Sequence, residues 1–155
     1  MTPEPAATPE TETRRAWLSL LAQAPADRLA ALWADLGPAP AHEILRAPEP
    51  GAVMVRGRMG GTGAAFNLGE VTVTRCSVRL GTGQVGHAWV QGLDRTKART
   101  AALVDALMQT DAAARIEAAV LAPLRAEARA RDAARAARAA ATRVEFFTLV
   151  RGEDA

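Results

Sequence analysis

The stretch "VRLGTGQVGHAWV", Val78 to Val90, decides the fold of this 155-residue chain. It contains the spacing G-x-G-x-x-G, which in dinucleotide-binding folds joins a strand to a helix whose N-terminus holds a pyrophosphate. A strand-like run precedes the glycines. The residues after them, however, alternate with a two-residue period, include a further glycine and are rich in β-branched and aromatic side chains. The sequence therefore predicts a β-hairpin with its turn at Gly81, Thr82 and Gly83, and no nucleotide site there.

Strands are also predicted upstream of this hairpin. The segments "AHEILRA" (41–47) and "GAVMVRGRM" (51–59) alternate with period two, and a turn at Pro48 to Gly51 is expected to join them. A loop, "GGTGAAFNLGE" (60–70), leads into the long strand "VTVTRCSVRL" (71–80). The apolar residues of that strand change face near Arg75, which predicts a β-bulge or a bend.

Helices are predicted before the strands. Residues 1–13 are rich in Pro, Thr and Glu and are expected to form a disordered tail. Helical spacing begins at Trp17, and a second helix is expected between Pro25 and Gly37, residues that suit its start and its end. We expect Trp17 and Trp33 to be core residues. The apolar stripe of the second helix consists of Leu29, Leu32, Trp33 and Leu36.

Helices are predicted again after the hairpin. Asp94 is expected to cap one helix, and Asp111 to begin another that is interrupted or restarted at Pro123. Residues 125–141 carry no large apolar side chain and are rich in Ala and Arg, which predicts a helical arm. That arm either is exposed to solvent, with Glu127 supporting Arg131, or lies against another subunit.

The last segment, Val144 to Val150, is largely apolar on both faces, so we expect a strand that its own fold or a partner covers. The order of elements is N-terminal helices, an antiparallel sheet with hairpins, C-terminal helices and a final strand. This order predicts a single α+β domain over residues 14–152.

The composition indicates a soluble globular protein with a net charge of +2, and Lys97 is its only lysine. Arginine grips carboxylates and phosphates bidentately, so anionic partners come into consideration, although a GC-rich coding sequence would also raise the Arg content. The single Cys76 permits no internal disulfide and suits a reducing cytoplasm, and we expect it to be a buried core thiol rather than a reactive thiolate. No apolar run is long enough to span a membrane, and we expect a cytoplasmic protein.

Groups that could carry catalysis are sparse. Ser19 and Ser77 are the only serines, and neither sits in a nucleophile elbow. His42 and His87 lack the paired spacing of metal ligands, and His87 is expected to be packed or hydrogen-bonded. The sequence therefore assigns no catalytic residue and no metal ligand, and we expect no cofactor to bind to this chain alone.

A glycine-rich segment flanked by arginines is the remaining feature. By alternation Arg56 and Arg58 share one face, and so do Arg75, Ser77 and Arg79. If these strands are neighbours, four guanidinium groups converge beside "MGGTG", where backbone N–H groups can cradle a phosphate. Alternatively, the arginines pair with carboxylates of this chain (Glu43, Glu49, Glu70) or of a partner.

Several segments occur together in a specific order: "RMGGTG", "VTRCSVRL", "WVQGLD", "ALVDALMQ", "LAPL" and "RVEFFTLVRG". In this combination the chain resembles the PhnG family of the bacterial carbon–phosphorus lyase system, from about Arg15 to Gly152. The resemblance implies obligate partners, because family members sit with subunits H, I and J in a core complex that degrades phosphonates. With subunit I and an ATPase-like subunit, they support transfer of methylphosphonate to the ribose C1 of MgATP, releasing adenine and forming alpha-D-ribose 1-methylphosphonate 5-triphosphate.

The resemblance also implies where substrates are met. The nucleosidase chemistry is ascribed chiefly to subunit I, so MgATP is a substrate of the complex and this chain positions substrate or partner. The residues that match the family's pattern and suit that role are Arg58, Gly60, Gly61, Thr62, Gly63, Arg75 and Arg79.

Two other classes of function remain as alternatives. One is a basic nucleic-acid-binding or structural interaction module that uses the ridge of Arg131, Arg135 and Arg138. The near-neutral net charge and the lack of aromatic residues interleaved with basic ones argue against it. The other is a self-sufficient small enzyme, which would need a nucleophile, an acid–base pair or a metal set that the sequence does not offer.

Overall fold

The computed structural model describes residues 8–142, which form a three-stranded antiparallel sheet with helices packed on one face. This confirms the predicted α+β class. The strand order is β1-β2-β3, so β1 and β3 are the two edges of the sheet. The elements are α1 (Pro9–Gln23), α2 (Ala26–Ala34), β1 (His42–Arg58), a 3-10 turn (Met59–Gly61), β2 (Ala65–Leu80), β3 (Val85–Gln91), α3 (Arg95–Leu107), α4 (Ala113–Ile116), a π-helical segment (Glu117–Leu121) and α5 (Ala122–Ala141).

The glycine motif is a hairpin turn, as predicted. The Leu80 N–H donates to the Gln84 carbonyl (2.9 Å), and the Gly83 N–H donates back to the Leu80 carbonyl (2.9 Å). Gly83 has a φ of +101°, a conformation that favours glycine. A Cβ built on Gly86 would lie 1.9 Å from the Ala102 carbonyl oxygen, which shows that α3 lies directly on β3 at this point. The motif therefore serves one turn and one close helix–strand contact.

The predicted turn at Pro48 to Gly51 is wrong, because β1 runs unbroken through it. The pairing of β1 with β2 shifts register between Ile44 and Arg46 and again between Arg46 and Glu49, so β1 carries extra residues there. Since β1 is an edge strand, its prolines can turn their missing N–H away from the ladder. Prolines usually mark turns, and for this reason the sequence predicted a turn here. A bulged edge strand, however, tolerates proline.

The predicted loop over residues 60–70 is also shorter than expected. After the 3-10 turn the chain re-enters the sheet at Ala65, so residues 65–70 extend β2. The irregularity predicted near Arg75 is present, but it lies in β1 opposite this part of β2. The pairing of β2 with β3 is regular from Val73 opposite Gln91 to Arg79 opposite Val85.

The first helix begins earlier than the sequence indicated. Thr8 caps α1 by accepting a hydrogen bond from the Thr11 N–H (3.3 Å), and Pro9 stands in the first turn. Glu10 and Glu12 place negative charge near the positive end of the helix dipole. Residues 9–13 are therefore helical, which corrects the predicted tail, while residues 1–7 lie outside the described part of the chain.

The core lies between one face of the sheet and the helices. From Thr74 to Leu80 of β2 every second side chain is buried. Cys76 and Val78 lie on the face that meets α3. Cys76 is 1% exposed, and burial raises the pKa of its thiol, which confirms the prediction of a core thiol. Further members of the core are Leu21, Leu29, Leu32, Leu80, Val90, Leu103, Val104, Ile116, Val120, Leu121 and Leu124.

The only lysine of the chain ties α3 to α1. The Lys97 ammonium is buried and donates to the Ala22 carbonyl (2.8 Å), one of the carbonyl groups that the last turn of α1 leaves without a helical partner. Burial lowers the pKa of Lys97. As predicted, Asp94 caps α3, because its carboxylate accepts from the Lys97 N–H (2.8 Å).

The C-terminal helices form one nearly continuous rod. The helix passes from α4 through the π-helical segment into α5, with Pro123 in the first turn of α5. Glu127 pairs with Arg28 of α2 (2.7 Å), not with Arg131 as predicted. Residues 129–142 are exposed throughout, consistent with the solvent-exposed alternative for the arm. The predicted strand at residues 144–150 lies outside the described residues, and none of the helices within residues 8–142 has the length and apolar character needed to cross a membrane.

Candidate functional site

The glycine-rich segment forms the tip of the β1–β2 hairpin. The Gly63 N–H donates to the Met59 carbonyl (3.0 Å), and Nη1 of Arg58 donates to the Gly63 carbonyl (3.1 Å). Gly60 and Gly61 have φ values of +60° and +79°, so both need the freedom of glycine. The guanidinium of Arg58 therefore closes a tight, solvent-exposed turn in which the N–H groups of Thr62 and Gly63 both donate to the Met59 carbonyl.

The expected convergence of four arginines at this tip is wrong. Arg58 lies opposite Ala65, whereas Arg75 lies ten residues further along β2 and opposite Glu49. At about 3.3 Å per residue this separates the two positions by roughly 33 Å. Arg79 lies still further from the tip, opposite Glu43. Strand alternation set the faces of these side chains, but not the distance between them.

The alternative interpretation of Arg75 and Arg79 is confirmed, because both pair with carboxylates of the neighbouring strand. Arg75 contacts Glu49 at 2.8 Å and Arg79 contacts Glu43 at 2.7 Å. Hydrogen bonds from Arg46 and then from Arg75 hold the pKa of the Glu49 carboxyl below its usual value. These pairs are solvent-exposed, so they position side chains on the sheet more than they stabilise it.

The face of the sheet that turns away from α3 brings together groups that the sequence placed apart. The Arg75 guanidinium lies 5.6 Å from the centre of the Trp89 ring, a cation–π distance. Ser77 Oγ lies 2.9 Å from His87 Nδ1, which confirms that His87 is hydrogen-bonded. A serine activated by histidine also needs a group that orients the imidazole. Among residues 8–142, no carboxylate contacts the His87 ring.

Sequence reasoning missed Asp105, a fully buried carboxylate in the middle of α3. Its two oxygens accept four hydrogen bonds: from Arg14 Nε (3.1 Å) and Nη2 (2.7 Å), from Trp17 Nε1 (2.9 Å) and from the His87 backbone N–H (2.8 Å). One side chain thus fixes α1 and β3 to α3. The available signal was an aspartate inside the apolar pattern "ALVDALMQ", where a helix buries its stripe.

Between Val73 of β2 and the tip turn, the β1–β2 hairpin leaves the body of the protein. The pairing of β3 reaches only to Val73 of β2, so the distal part of the hairpin is two-stranded. We call this part, residues 52–58 of β1 and 65–72 of β2, the projecting ribbon. It ends in the tip turn. Ribbon and turn together carry five of the nine large apolar side chains that are exposed in the described chain: Met54, Val55, Phe66 and Leu68 on the strands and Met59 in the turn.

Metal-binding side chains do not cluster anywhere between residues 8 and 142, where no group of three His, Cys, Asp or Glu is close enough to hold an ion. The features that stand out are therefore a charged tip turn, an apolar ribbon below it, and a polar sheet face with a Ser–His contact. These features suit binding to anions or to another protein more than they suit acid–base chemistry.

Comparison with known proteins decides the family. Residues 12–152 match the family model described as "Phosphonate metabolism protein PhnG". The chain belongs to the PhnG family. A curated relative from Rhizobium meliloti (strain 1021) is 47% identical over 141 residues, which cover 91% of this chain and 90% of the relative. That relative is named "Alpha-D-ribose 1-methylphosphonate 5-triphosphate synthase subunit PhnG".

Membership of the PhnG family confirms the resemblance seen in the ordered segments from "RMGGTG" to "RVEFFTLVRG". It makes the chain a phosphonate metabolism protein. The match includes the tip turn, the projecting ribbon and α5.

Proposed function

We propose that this chain is the PhnG component of a complex that transfers methylphosphonate to the ribose C1 of MgATP and releases adenine. The observation that carries the proposal is the relative that bears this synthase name, since the two chains match over nine tenths of their lengths. The partners would be subunits H, I and J with an ATPase-like subunit, acting in the cytoplasm. MgATP would be a substrate of the complex, not a cofactor of this chain.

The reaction brings several negative charges together. The bond between ribose C1 and the adenine nitrogen breaks, a bond between C1 and a phosphonate oxygen forms, and adenine leaves with a proton on its nitrogen. The nucleophile is an anion, and the triphosphate remains on the ribose. Cationic and N–H donors that hold these anions in place stabilise such a step more than a general base does.

For this chain we assign such a positioning role to Arg58 and the turn from Gly60 to Gly63. The turn places a guanidinium beside two positive-φ glycines, and it is open to solvent. Arg75 and Arg79 belong to the same family pattern, but the strand register places them roughly 33 Å or more from the tip, and both are paired with carboxylates, Glu49 and Glu43. The positioning proposal therefore concentrates on the tip turn.

The function is tested by reconstitution. The tagged chain is co-expressed with subunits H, I and J and the ATPase-like subunit, and adenine release from MgATP is measured by chromatography with and without methylphosphonate. We expect methylphosphonate-dependent adenine release that requires this chain. Equal release from a preparation lacking the chain, or failure of the chain to co-purify with any of these subunits, would overturn the proposal.

The role of the tip turn is tested with two variants of one residue. Arg58→Ala removes both the charge and the hydrogen bond to the Gly63 carbonyl, whereas Arg58→Gln keeps an N–H donor but loses the charge. Loss of a charge-assisted hydrogen bond costs about 1.5–3 kcal/mol, or roughly ten- to hundredfold in rate. We expect both variants to assemble and to lose adenine release by that factor, with Arg129→Gln on the exposed arm as the unaffected control. Wild-type turnover by Arg58→Gln would refute the positioning role.

A further inference from the structure

The projecting ribbon has no support from the rest of the described chain. It is a two-stranded structure, and two strands alone are marginally stable in water. The last hydrogen bond between β2 and the segment that follows β3 runs from the Gly92 N–H to the Thr72 carbonyl (2.9 Å). From Val71 to Ala65 the outer edge of β2 has no neighbouring strand in the described chain. The ribbon nevertheless keeps a regular pairing over most of its length, broken only between Val55 and Arg56.

Exposed apolar side chains occur on both faces of the ribbon. Met54 and Val55 are adjacent in β1 and so point to opposite faces, yet they are 53% and 37% exposed. On β2, Phe66 and Leu68 are 41% and 62% exposed. Large apolar side chains that are exposed on both faces of one short ribbon mark an interaction surface.

The edge of β2 is the less protected of the two edges. Within the ribbon β1 carries two charges, Arg56 and Arg58, and Pro50 stands just before it, features that discourage the pairing of edges. Residues 65–72 of β2 contain no proline and a single charge, at Glu70. A long open edge of this kind is a template for an added strand.

The size of the ribbon argues against a second copy as its occupant. The eight residues 65–72 at about 3.3 Å each give a length of roughly 26 Å, and two strands span about 10 Å, so one face projects on the order of 260 Å². A specific interface needs about 800 Å² per partner. Two ribbons stacked face to face fall short of this area, whereas a groove that encloses both faces and the open edge reaches it.

Charge indicates the chemistry of that groove. The ribbon and its flanks hold two cations, Arg56 and Arg58, against one carboxylate, Glu70. Within residues 8–142 Arg56 forms no ion pair, although Arg46, Arg75 and Arg79 nearer the body all do, so Arg56 is the cation available to the groove, whereas Arg58 is held in the tip turn by the Gly63 carbonyl. We propose that the projecting ribbon inserts into an apolar, acid-rimmed groove of another subunit of the synthase, which contacts both faces and adds a strand along residues 65–72. This inference rests on the proposed function, which supplies the other subunits.

The experiment places one charge on each face of the ribbon and asks whether the complex still forms. Met54→Asp and Val55→Asp are compared singly with Leu93→Asp, a control at a side chain that is 69% exposed and lies outside the ribbon. Each tagged variant is co-expressed with the partner subunits, and the amount that co-purifies is measured after circular dichroism has shown that the fold is retained. We expect each ribbon variant to reduce assembly at least tenfold and the control to assemble like the wild type.

Hydrogen exchange supplies a second measurement that does not depend on substitutions. Backbone amides of residues 65–72 should exchange more slowly in the wild-type complex than in the free chain. Full assembly of both ribbon variants, or unchanged exchange, would overturn the inference while leaving the proposed function intact if wild-type assembly succeeds. Loss of assembly with only one variant would refute a groove that grips both faces. A ribbon-dependent dimer of the chain alone would identify a second copy as the occupant and overturn the proposal.

Discussion

Replacing Asp105 by asparagine should destabilise the protein far more than its position in a helix suggests. The asparagine side chain would keep one oxygen, which can still accept from Arg14 Nε and Trp17 Nε1. Its amide nitrogen would replace the oxygen that now accepts from Arg14 Nη2 (2.7 Å) and the His87 N–H (2.8 Å). Two donors would then face a third donor in a fully buried site.

The magnitude follows from these contacts. A hydrogen bond to a charged group contributes about 1.5–3 kcal/mol, and a buried donor left unpaired costs about 1–3 kcal/mol. The Arg14 side chain is 34% exposed, so water can take over part of its loss. We therefore expect a loss of about 3–4 kcal/mol, within the range for breaking a buried ion pair. For a chain of this length each kcal/mol lowers the melting temperature by about 2–4 °C, which gives a drop of roughly 6–16 °C.

The assay is thermal and urea unfolding of the purified chain, followed by circular dichroism and by the fluorescence of its three tryptophans, which include Trp17. Asp111→Asn is the matched control, because Asp111 is exposed in the turn between α3 and α4, and such surface changes stay within about 0.5 kcal/mol. If Asp105→Asn unfolds within about 1 kcal/mol of the wild type, the reasoning that this carboxylate fixes α1 and β3 to α3 is refuted.

Two further predictions concern packing and charge. Gly86→Ala should lower the free energy of unfolding by about 3 kcal/mol, because its Cβ would lie 1.9 Å from the Ala102 carbonyl oxygen. As a control, Gly51→Ala meets nothing within 4 Å and should change the free energy of unfolding by less than about 1 kcal/mol. Equal urea midpoints for the two variants would contradict this. The Glu49 pKa is lowered in the folded state, so its ion pairs stabilise the protein above its ordinary value near 4.5 and are lost as the pH falls through the folded pKa. Glu49→Gln should therefore lower the melting temperature at about pH 7, with a gap to wild type that shrinks toward about pH 3; a gap independent of pH would disprove the assignment.

The sequence predicted those parts of the fold in which each residue follows the local pattern. The hairpin at Gly81 to Gly83, the stripe of α2 and the cap at Asp94 all depend on near neighbours in the chain. The family followed from several short segments that occur in one order. Recognising these segments does not require a prediction of local structure.

The failures share a physical origin in contacts that are distant along the chain. Pro48 and Pro50 break a strand only when their missing N–H would face a neighbour, and the edge position of β1 removes that constraint. Residues 65–70 looked like a loop because exposed apolar residues mix with glycine, a composition that a projecting ribbon tolerates. Asp105 looked ordinary because its partners Arg14 and His87 lie 91 and 18 residues away.

For the candidate site, the sequence identified the tip turn but misjudged the arrangement around it. Alternation places Arg58 and Arg75 on definite faces, yet only the register of β1 with β2 fixes how far apart they lie. The sequence predicted the irregularity near Arg75 but not that it lies in β1, and no local pattern indicated the register shift between Val55 and Arg56.

The buried position of Lys97 has a consequence for chemical labelling. Since it is the only lysine in the sequence, no other side chain of the protein offers a primary amine. In the folded state its nitrogen donates to the Ala22 carbonyl, and the side chain is buried, so reagents in solution do not reach it. An amine-directed reagent therefore modifies Lys97 only when the contact between α1 and α3 opens, so the rate of its modification reports how often these two helices separate.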